Sequence, residues 1–307
     1  MIQKSVETRF NRTMRIALAV SPEFQRRGPT KEDDLLSERL ATGGMEVVFE
    51  AWDGASDWAA YDAILIRSCW DYHLHPAEFR EWLDRVEQAG TLLWNPAPLV
   101  RWNMDKRYLE DLQAEGLTVV PTVFRPTLSE DEVESFLGAF QVDELVIKPS
   151  IGATAFQTHR VVSGGLFPDL EPLAGAAVWL VQPFLHEIVR DGEWSLIWLE
   201  NRFSHAALKK APPGDFRVQE SCGGSATLCE PDHRVMELAA RTIEALEPAP
   251  LYARVDIVVH DEVPMLMEVE LIEPQLFLER SPAGLERFVG SIERSLGEGS
   301  GWLPAML

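Results

Sequence analysis

The residues with the clearest potential for chemistry lie in the segment 251–273, LYARVDIVVHDEVPMLMEVELIE. Its alternating pattern predicts two antiparallel strands joined by a tight turn centred on Glu262, because successive side chains of a strand point to opposite faces. One face of this hairpin is apolar and is predicted to join a core. The members of that face are Ala253, Val255, Ile257, Val259, Met265, Met267, Val269 and Leu271.

The other face of the predicted hairpin carries three carboxylates, those of Asp256, Glu268 and Glu270. A turn at Glu262 pairs Asp256 with Glu268 across the hairpin, and Arg254 with Glu270. Like charges placed opposite each other destabilise a sheet, so they require neutralisation. Carboxylate oxygens are the usual ligands of Mg2+, which indicates a metal site. The alternative is a solvated strand face with a weak surface ion pair.

A second candidate site surrounds Lys148, which ends the apolar strand LVIKP. A lysine in such a strand is costly to bury without an anion. The small residues that follow, including Ser150, Gly152 and Ala153, allow backbone N–H groups to approach phosphate oxygens. The GxxxxGK[ST] pattern of a P-loop is absent. Lys106 is a further basic candidate. The alternatives are an extended lysine at a strand end for Lys148 and an exposed helix lysine for Lys106.

The segment Gln182-Pro183-Phe184-Leu185 follows another apolar strand and is a candidate purine site. Backbone groups at a strand end can bind the edge of a purine while Phe184 or Leu185 packs against its face. Three acids nearby can bind ribose hydroxyls: Glu187, Asp191 and Glu193. The alternative is an ordinary exit from a strand into a loop.

Near the N-terminus, the sequence IRSCWDY follows a predicted strand. Ligands bind at the carboxyl ends of the strands in open α/β sheets. Arg67, Trp70 and Asp71 are therefore candidates for binding an amino-acid-like substrate. A structural turn with a packed tryptophan is the alternative.

The overall composition excludes some classes of partner. The 307 residues carry a net charge of −21, from 28 basic and 49 acidic residues, which argues against nucleic acids and anionic membranes. No apolar run reaches the length of a membrane span, and residues 1–13 lack the apolar segment of a signal peptide. These thirteen residues are expected to be a disordered lead-in. Three cysteines are too few for a disulfide framework, so a reduced cytoplasm is expected.

The hydrophobic pattern predicts an open α/β sheet in the first hundred residues, followed by α+β segments. Predicted strands cover 14–20, 46–51, 62–67, 91–94, 119–122, 145–149, 157–162, 178–184, 193–199 and 203–210. Predicted helices cover 31–42, 76–89, 104–115, 130–140, 232–245 and 285–296.

The order of these pieces resembles the ATP-grasp superfamily. The sequence is similar to ligases related to glutathione synthetase and the RimK type, and closer to the group that includes D-cycloserine synthetase. The similarity covers roughly residues 95 to 273. The matching elements are Lys106, VIKPSIGATAF at 146–156, VQPF at 181–184, PPGDFRVQESCGG at 212–224, and Asp256 with Glu268 and Glu270.

This resemblance implies an α/β fold of three domains. They are an open α/β N-terminal domain at 14–103, an α+β lid at 104–182, and an α+β C-terminal domain with an antiparallel sheet at 183–307. ATP is expected between the lid and the C-terminal domain. Homodimers are common for this architecture, so a homodimer is the candidate assembly.

The resemblance also implies roles for individual residues. Lys106 and Lys148 would contact the α- and β-phosphates, and the loop with Ser150, Gly152 and Ala153 would close over them. Adenine would be bound by Gln182 and the Phe184–Leu185 backbone, and ribose by Glu193 or Glu187. Two Mg2+ ions, for which Mn2+ can substitute, would be held by Asp256, Glu268 and Glu270.

Arg217 is implied to bind the γ-phosphate and the acyl phosphate that forms from it, which makes Arg217 and Lys148 the catalytic candidates. One position departs from the family pattern. Glutathione synthetases have an arginine two positions beyond the ribose acid, and this chain has Ser195 there. Arg217, Lys209 and Lys210 are the candidates to supply that charge.

The implied activity is Mg2+- and ATP-dependent activation of a small, amino-acid-derived carboxylate as an acyl phosphate. An amine or an internal nucleophile then gives an amide, a peptide or a ring. Metals and cationic groups favour such a reaction because negative charge develops between the oxygens. Two alternatives remain at this point: a small-molecule kinase on the same fold, and a nucleotide-binding module without catalysis.

Overall fold

Three β-sheets organise the chain in the computed structural model, which describes residues 13–170 and 177–297. Most of the lead-in expected at residues 1–13, and the last ten residues of the expected C-terminal domain, lie outside the described residues. A bilayer-spanning helix is absent from the two described ranges.

The first sheet is parallel, as the sequence pattern predicts, and its strand order is β2-β1-β3-β4. Its strands are β1 (Arg15–Val20), β2 (Glu46–Ala51), β3 (Ala63–Ile66) and β4 (Leu92–Trp94). The helices of this part are α1 (Pro22–Arg27), α2 (Lys31–Thr42) and α3 (Pro76–Ala89). The apolar stripe of α3, with Phe79 and Trp82 at its centre, is fully buried against the sheet.

The second sheet is antiparallel with the order β5-β8-β6-β7. The elements from α4 to β8 are α4 (Ala97–Asn103), α5 (Tyr108–Ala114), β5 (Val123–Arg125), α6 (Glu130–Phe140), β6 (Glu144–Pro149), β7 (His159–Val162) and β8 (Trp179–Pro183). The bounds of α6 are those predicted from the sequence. Ser129 and Glu132 form a capping box that fixes its start.

Two predictions in this region are wrong. The helix predicted at 104–115 begins only at Tyr108, as α5, because residues 104–107 form a junction after α4, which ends at Asn103. Lys106 lies in the junction between them, where its N–H donates to the Ser150 carbonyl at 2.8 Å. The strand predicted at 119–122 is a single bridge from Val119 to Leu266. Pro121 lacks the N–H that a longer ladder would need.

The third sheet is antiparallel with the order β11-β10-β9-β12-β13. Its region contains α7 (Glu187–Arg190), β9 (Glu193–Leu199), β10 (Arg202–Lys210), β11 (Ser225–Leu228), α8 (His233–Glu244), β12 (Tyr252–His260), β13 (Val263–Glu270) and α9 (Pro282–Gly297). The short elements α1, α4, α7, β5 and β11 are not predicted by the sequence, because three to seven residues carry too little periodicity.

The acidic hairpin β12–β13 has the predicted register at the end that carries the three carboxylates. Arg254 lies opposite Glu270, and Asp256 lies opposite Glu268. The turn itself consists of two residues, Asp261 and Glu262, with φ values of 47° and 66°. Positive φ at both positions is the geometry that matches the twist of a hairpin.

A β-bulge after Asp256 changes the faces of the remaining hairpin residues, so one prediction is wrong. The register shifts between Asp256 and Ile257, and Ile257 then lies opposite Leu266 rather than Met267. Leu266 therefore joins the apolar core. Met265 and Met267 pack with Val258 on the opposite side of the sheet.

The outer edge of β13 is closed by groups from earlier in the chain. The Asn103 side-chain amide donates to the Val269 carbonyl and accepts from the Leu271 N–H, both at 2.8 Å. The Val120 N–H donates to the Leu266 carbonyl at 3.0 Å. These bonds satisfy a strand edge that would otherwise be open to other chains.

Asn95 makes a similar connection between the first and third sheets. Its fully buried amide donates to the carbonyls of Tyr252 and Leu271 at 2.9 and 2.8 Å. Its oxygen accepts from the Leu251 N–H at 2.7 Å. This single side chain thus aligns the end of β4 with both strands of the acidic hairpin.

Replacement of Asn95 by alanine is expected to lower the free energy of unfolding by about 3 kcal/mol, because three buried backbone groups lose their partner. Urea denaturation followed by circular dichroism measures the change. The exposed Gln88 on α3 provides the control, since Gln88→Ala should change stability by less than about 0.5 kcal/mol. Equal effects of the two substitutions would contradict this role of Asn95.

Candidate active site

A cavity of about 730 Å³ lies where the three sheets meet. Arg67 and Trp70 line it from beyond β3, Lys148 from β6, and Asp256 from β12. Such a concave site between sheets is the usual position of a small-molecule site.

The structure brings most of the predicted site residues into this one cavity. Those that line it are Arg67, Trp70, Lys106, Lys148, Gly152, Ala153, Gln182, Phe184, Leu185, Glu193, Arg217, Asp256, Glu268 and Glu270. Residues more than a hundred positions apart in sequence are thus neighbours in space.

Three predicted site residues lie outside the lining and have other partners. The Ser150 hydroxyl is buried and accepts from the Val178 N–H at 3.1 Å. The Asp71 carboxylate accepts from the Trp52 indole at 2.9 Å. The Glu187 carboxylate lies 3.2 Å from Nδ1 of His260. Their contacts within the protein explain their positions without a ligand.

The carboxylates of the acidic hairpin are each paired with a cation. The Arg254 guanidinium lies 2.9 Å from Asp256 and also forms an ion pair with Glu270. Lys106 Nζ lies 2.9 Å from Glu268 Oε1. Lys209 Nζ lies 3.4 Å from Asp256 Oδ2. The neutralisation expected from the sequence is thus supplied by arginine and lysine side chains.

These ion pairs and the burial of the site give the three acids different pKa values. Burial raises the pKa of Asp256, but Arg254 and Lys209 outweigh it and hold the pKa at about 2. Burial also raises the pKa of Glu268, but the charge of Lys106 outweighs it, so the pKa is lowered. For Glu270, burial and the neighbouring carboxylates prevail over Arg254 and raise the pKa to about 7. Glu270, unlike the other two acids, is therefore partly protonated near neutral pH.

The three carboxylates have the chemistry of a hard-metal site, since all their donor atoms are oxygen. Their ligand atoms do not converge as a set, because Lys106 and Arg254 lie between them. In the described ranges, Glu187, His260 and Asp261 do have ligand atoms within 4.8 Å of one another. That group lies at the turn end of the hairpin, where Asp261 is largely exposed.

Lys148 has no ion-pair or hydrogen-bond partner among the residues that the structure describes, although it faces the cavity. Burial, together with Lys106, lowers its pKa. An anionic ligand would remove both effects. Lys106 is better satisfied, since its ammonium also donates to the Gly152 carbonyl at 2.7 Å.

The loop after Lys148 has an unusual backbone. Thr154, Ala155 and Gln157 have φ values of 51°, 57° and 44°, in a region that residues other than glycine rarely adopt. Between them, the Phe156 ring lies 4.8 Å from the ring of His73, which belongs to the first sheet's region. This contact connects the loop, which lines the cavity, to the residues that follow β3.

The apolar end of the cavity can accept a flat ring. Phe184, Leu185 and Ile188 line it from β8 and α7, and Met267 lines it from β13. The Gln182 amide donates to the Thr122 hydroxyl at 2.8 Å. Sequence reasoning missed Met267 because the bulge that turns it toward the cavity has no signal in a regular alternation.

The structure also supplies charge next to Ser195, where the family pattern has an arginine. The Ser195 hydroxyl donates to Asp256 at 2.5 Å. Lys209, Arg217 and Arg254 line the cavity, while Lys210 is exposed and does not. The sequence analysis assigned Arg254 only a pairing role, although its spacing of two from Asp256 places both on one face.

Arg217 lies on the loop between β10 and β11 and is held by its own neighbour. Its guanidinium lies 2.7 Å from the Asp215 carboxylate, and its side chain is 42% exposed. The bidentate contact orients the arginine without burying it, so a stronger anion in the cavity can compete for it.

Arg67 lines the cavity but is already fully bonded. It donates to Asp33 at 2.7 Å and to the Pro274 carbonyl at 3.3 Å, and it forms an ion pair with Glu32. This network fixes the wall of the cavity. Trp70, which is 39% exposed, is free to contact a bound molecule.

Comparison with solved structures defines the fold. The crystal structure of D-cycloserine synthetase DcsG superposes with a TM-score of 0.77 at 29% identity, covering 92% of this chain and 99% of that one. ATP-grasp ligase PsnB, solved with a phosphomimetic variant of its minimal precursor, Mg and ADP, gives a TM-score of 0.59 at 16% identity, covering 92% of this chain and 99% of PsnB.

Comparison of sequences identifies the family. Residues 16–95 match the family model of the N-terminal domain of D-cycloserine synthetase DcsG. The cycloserine biosynthesis protein DcsG of Streptomyces lavendulae is 33% identical over 277 residues, which cover 85% of this chain and 92% of that protein.

The fold and the cavity together define an ATP-grasp enzyme, an ATP-dependent carboxylate–amine ligase. Within that class, the chain belongs to the family of D-cycloserine synthetase DcsG. The predicted superfamily, fold class and enzyme class are thereby confirmed, and the kinase and non-catalytic alternatives are not favoured.

The pKa of Glu270 leads to a prediction about metal binding. Glu270 holds a proton below about pH 7 and is ionised above it, so a Mg2+ ion bound by Glu270, as the sequence predicts, would displace that proton at low pH. The affinity for Mg2+ is therefore expected to rise about ten-fold from pH 6 to pH 8, as calorimetry would measure. In Glu270→Gln the affinity should not change with pH, whereas Glu262→Gln at the turn should keep the rise. A ten-fold rise in Glu270→Gln would disprove the assignment.

Proposed function

We propose that this enzyme activates a small, amino-acid-derived carboxylate as an acyl phosphate, which an amine or an internal nucleophile then captures. The observation that carries this proposal is the meeting of Lys106 and Lys148 with the acidic hairpin in one cavity. Phosphoryl transfer requires both cations that bind the phosphates and carboxylates that bind the metal. Either set alone would leave its charge without a counter-charge.

The apolar end of the cavity is proposed to bind adenine. Gln182 and the backbone of Phe184 and Leu185 would contact the edge of the ring, with Met267 against its face. The ribose is proposed to lie near α7, which Glu187 and Glu193 flank. Glu193 lines the cavity, which supports it over Glu187 as the ribose ligand.

The phosphates are proposed to lie between the two lysines and the hairpin. Lys148 provides an unpaired charge for them, and Lys106 can exchange Glu268 for a phosphate oxygen. Asp256, Glu268 and Glu270 would then be free to hold two Mg2+ ions, or Mn2+ in their place. When bound, the metal neutralises charge on the transferring phosphoryl group and its leaving oxygen.

In the proposed reaction, a substrate carboxylate oxygen attacks the γ-phosphorus, and the bond to the bridging oxygen breaks to release ADP. The nucleophilic nitrogen then attacks the acyl carbon and loses its proton, and the C–O bond to phosphate breaks. Arg217 would bind the transferred phosphoryl group in both steps, exchanging Asp215 for it. The departing phosphate can accept the proton.

The loop that carries Gly152, Ala153 and Phe156 is proposed to exclude water from the acyl phosphate. Its contact with His73 supports this, because it joins the loop to the wall where the substrate would lie. An acyl phosphate hydrolyses readily, so closure protects it.

The substrate is proposed to lie near Trp70, where the first sheet meets the cavity. Kinship with D-cycloserine synthetase supports ring closure within one small substrate. The three sheets support the proposed division into domains at 14–103, 104–182 and 183–307. Three free cysteines support the proposed cytoplasmic location.

The nucleotide site can be tested by calorimetric titration with ATP, with and without Mg2+. Wild-type protein is expected to bind ATP tightly only with Mg2+. The double variant Asp256→Asn/Glu268→Gln should bind Mg·ATP about 100-fold more weakly, because two metal ligands are lost. Glu262→Gln, which changes an exposed acid of the same hairpin, is the control. Absence of ATP binding to the wild type would overturn the proposed function.

The role of Arg217 predicts a separate kinetic effect. Arg217→Met is expected to lower the rate of ADP release about 100-fold while changing the affinity for ATP little, because the arginine acts on charge that develops during transfer. A screen of small amino acids for ADP release provides the assay. Arg107 forms a similar pair with Asp105 at 2.6 Å outside the cavity, so Arg107→Met is the matched control. Equal rates for the two variants would rule out this role.

A further inference from the structure

A second cavity, of about 270 Å³, lies between the helices α4 and α5 and the end of α8. In the part of the chain that the structure describes, it shares no lining residue with the active-site cavity. Its apolar lining includes the buried side chains of Leu99, Leu112 and Leu246. Because a cavity of about 150 Å³ can hold a benzene molecule, this one has room for a larger aromatic side chain.

The polar groups of the second cavity suit a peptide segment. The Trp102 indole is already bonded, since it donates to the Asp111 carboxylate at 2.8 Å. Glu115 and Glu247 also line the cavity and are exposed. Carboxylates beside an apolar lining can accept the backbone N–H groups of a bound segment. The lining therefore fits an apolar segment with a large aromatic side chain and little negative charge.

The last ten residues of the sequence have this composition. Residues 298–307, EGSGWLPAML, follow α9 and lie outside the described residues. Glu298 is their one charged side chain. Burial of large apolar side chains on the protein is favourable compared with leaving them in water. The large apolar side chains of this segment are Trp302, Leu303, Met306 and Leu307.

The last turn of α9 is bonded to the element that leads into the second cavity. The indole of Trp94, at the end of β4, donates to the Ser295 hydroxyl at 2.9 Å. Pro98, which lines the second cavity, follows Trp94 so closely in sequence that their Cα atoms are at most about 14 Å apart. The extended chain from Ser295 to Trp302 spans about 24 Å. Trp302 can therefore reach the second cavity from its own chain.

The other segment that lines the second cavity lies at the same end of the third sheet as the end of α9. Arg294, in the last turn of α9, lies 2.5 Å from the carboxylate of Glu200 in the β9–β10 turn. The Glu200 N–H donates to the Leu251 carbonyl at 2.8 Å. Leu251 follows shortly after the lining residues 245–247. Both lining segments are thus close in sequence to residues that lie next to the end of α9 or contact its neighbours.

We propose that residues 298–307 fold back onto their own chain and place Trp302 in the second cavity. Backbone N–H groups of the segment would donate to Glu115 and Glu247. Since α4 and α5 flank the junction that carries Lys106, the docked segment would brace that junction from outside the active-site cavity. This inference does not depend on the proposed function.

Hydrogen exchange followed by mass spectrometry on the 307-residue chain tests this docking. Trp302→Ser should raise the exchange rate of the backbone amides in α5 and in residues 245–247 about ten-fold, because these amides lose their cover. The amides of α6, which lies outside the second cavity, should exchange as in the wild type. An excess of the peptide 298–307 should restore slow exchange in the variant, whereas the same peptide with Trp302→Ser should not.

Calorimetry with the same peptide tests where the segment binds. The Trp302→Ser chain should bind the peptide, and the further substitution Ala245→Phe should weaken binding at least about ten-fold, because the new ring occupies the second cavity. Ala114→Phe is the matched control, since Ala114 is exposed on α5 and does not line the cavity. Circular dichroism of all three variants would distinguish a blocked cavity from misfolding.

The outcomes separate this docking from the alternatives. The inference is overturned if Trp302→Ser exchanges like the wild type in α5, or if folded Ala245→Phe and Ala114→Phe variants bind the peptide equally. Exchange of the wild type at low and high protein concentration identifies the chain that supplies the segment. Slow exchange that persists on dilution supports docking within one chain, whereas loss of protection would assign the segment to a second copy and overturn the inference. The affinity for Mg·ATP tests the proposed function separately.

Discussion

The structure depends on neutralising carboxylates that the hairpin β12–β13 places in a buried position. Three elements supply the cations: Arg254 of β12 pairs with Asp256 and Glu270, Lys209 of β10 pairs with Asp256, and Lys106 from the junction of α4 and α5 pairs with Glu268. A buried charge without a partner would destabilise the fold by several kcal/mol. The same carboxylates can serve a metal only if these cations have other anions to bind, so the ion pairs also tie metal binding to the arrival of phosphate.

The hairpin pairs with β9 through β12, whereas polar groups rather than another strand hold its β13 edge. Asn95, Asn103 and Tyr108 bond to backbone groups along β12, β13 and the residues just beyond. Side-chain amides suit this task because each offers both a donor and an acceptor. The three carboxylates therefore lie on two paired strands whose outer edge is satisfied by side chains from earlier in the chain.

The sequence was sufficient for features that depend on local periodicity. The pairings of Arg254 with Glu270 and of Asp256 with Glu268 follow from alternation about a known turn. The face of Met267 could not be predicted, because one extra residue in a bulge reverses every later position. The ion pair between Lys106 and Glu268 was also out of reach, since it depends on how separate sheets pack. The roles that the resemblance to the ATP-grasp superfamily implies for single residues depend on the complete set of motifs. Each motif alone has an ordinary structural explanation.

The bonds of Asn95 and Asn103 also bear on the order in which the chain acquires its structure. They join residues separated by 156 to 176 positions. A nascent chain has both asparagines long before the strands that satisfy them, so the two side-chain amides lack these backbone partners until the later strands are synthesised. Contacts of such sequence separation slow folding, because loop closure precedes any gain from the bonds. The acidic hairpin therefore reaches its bonded position against Asn95 and Asn103 only once loops of this length have closed.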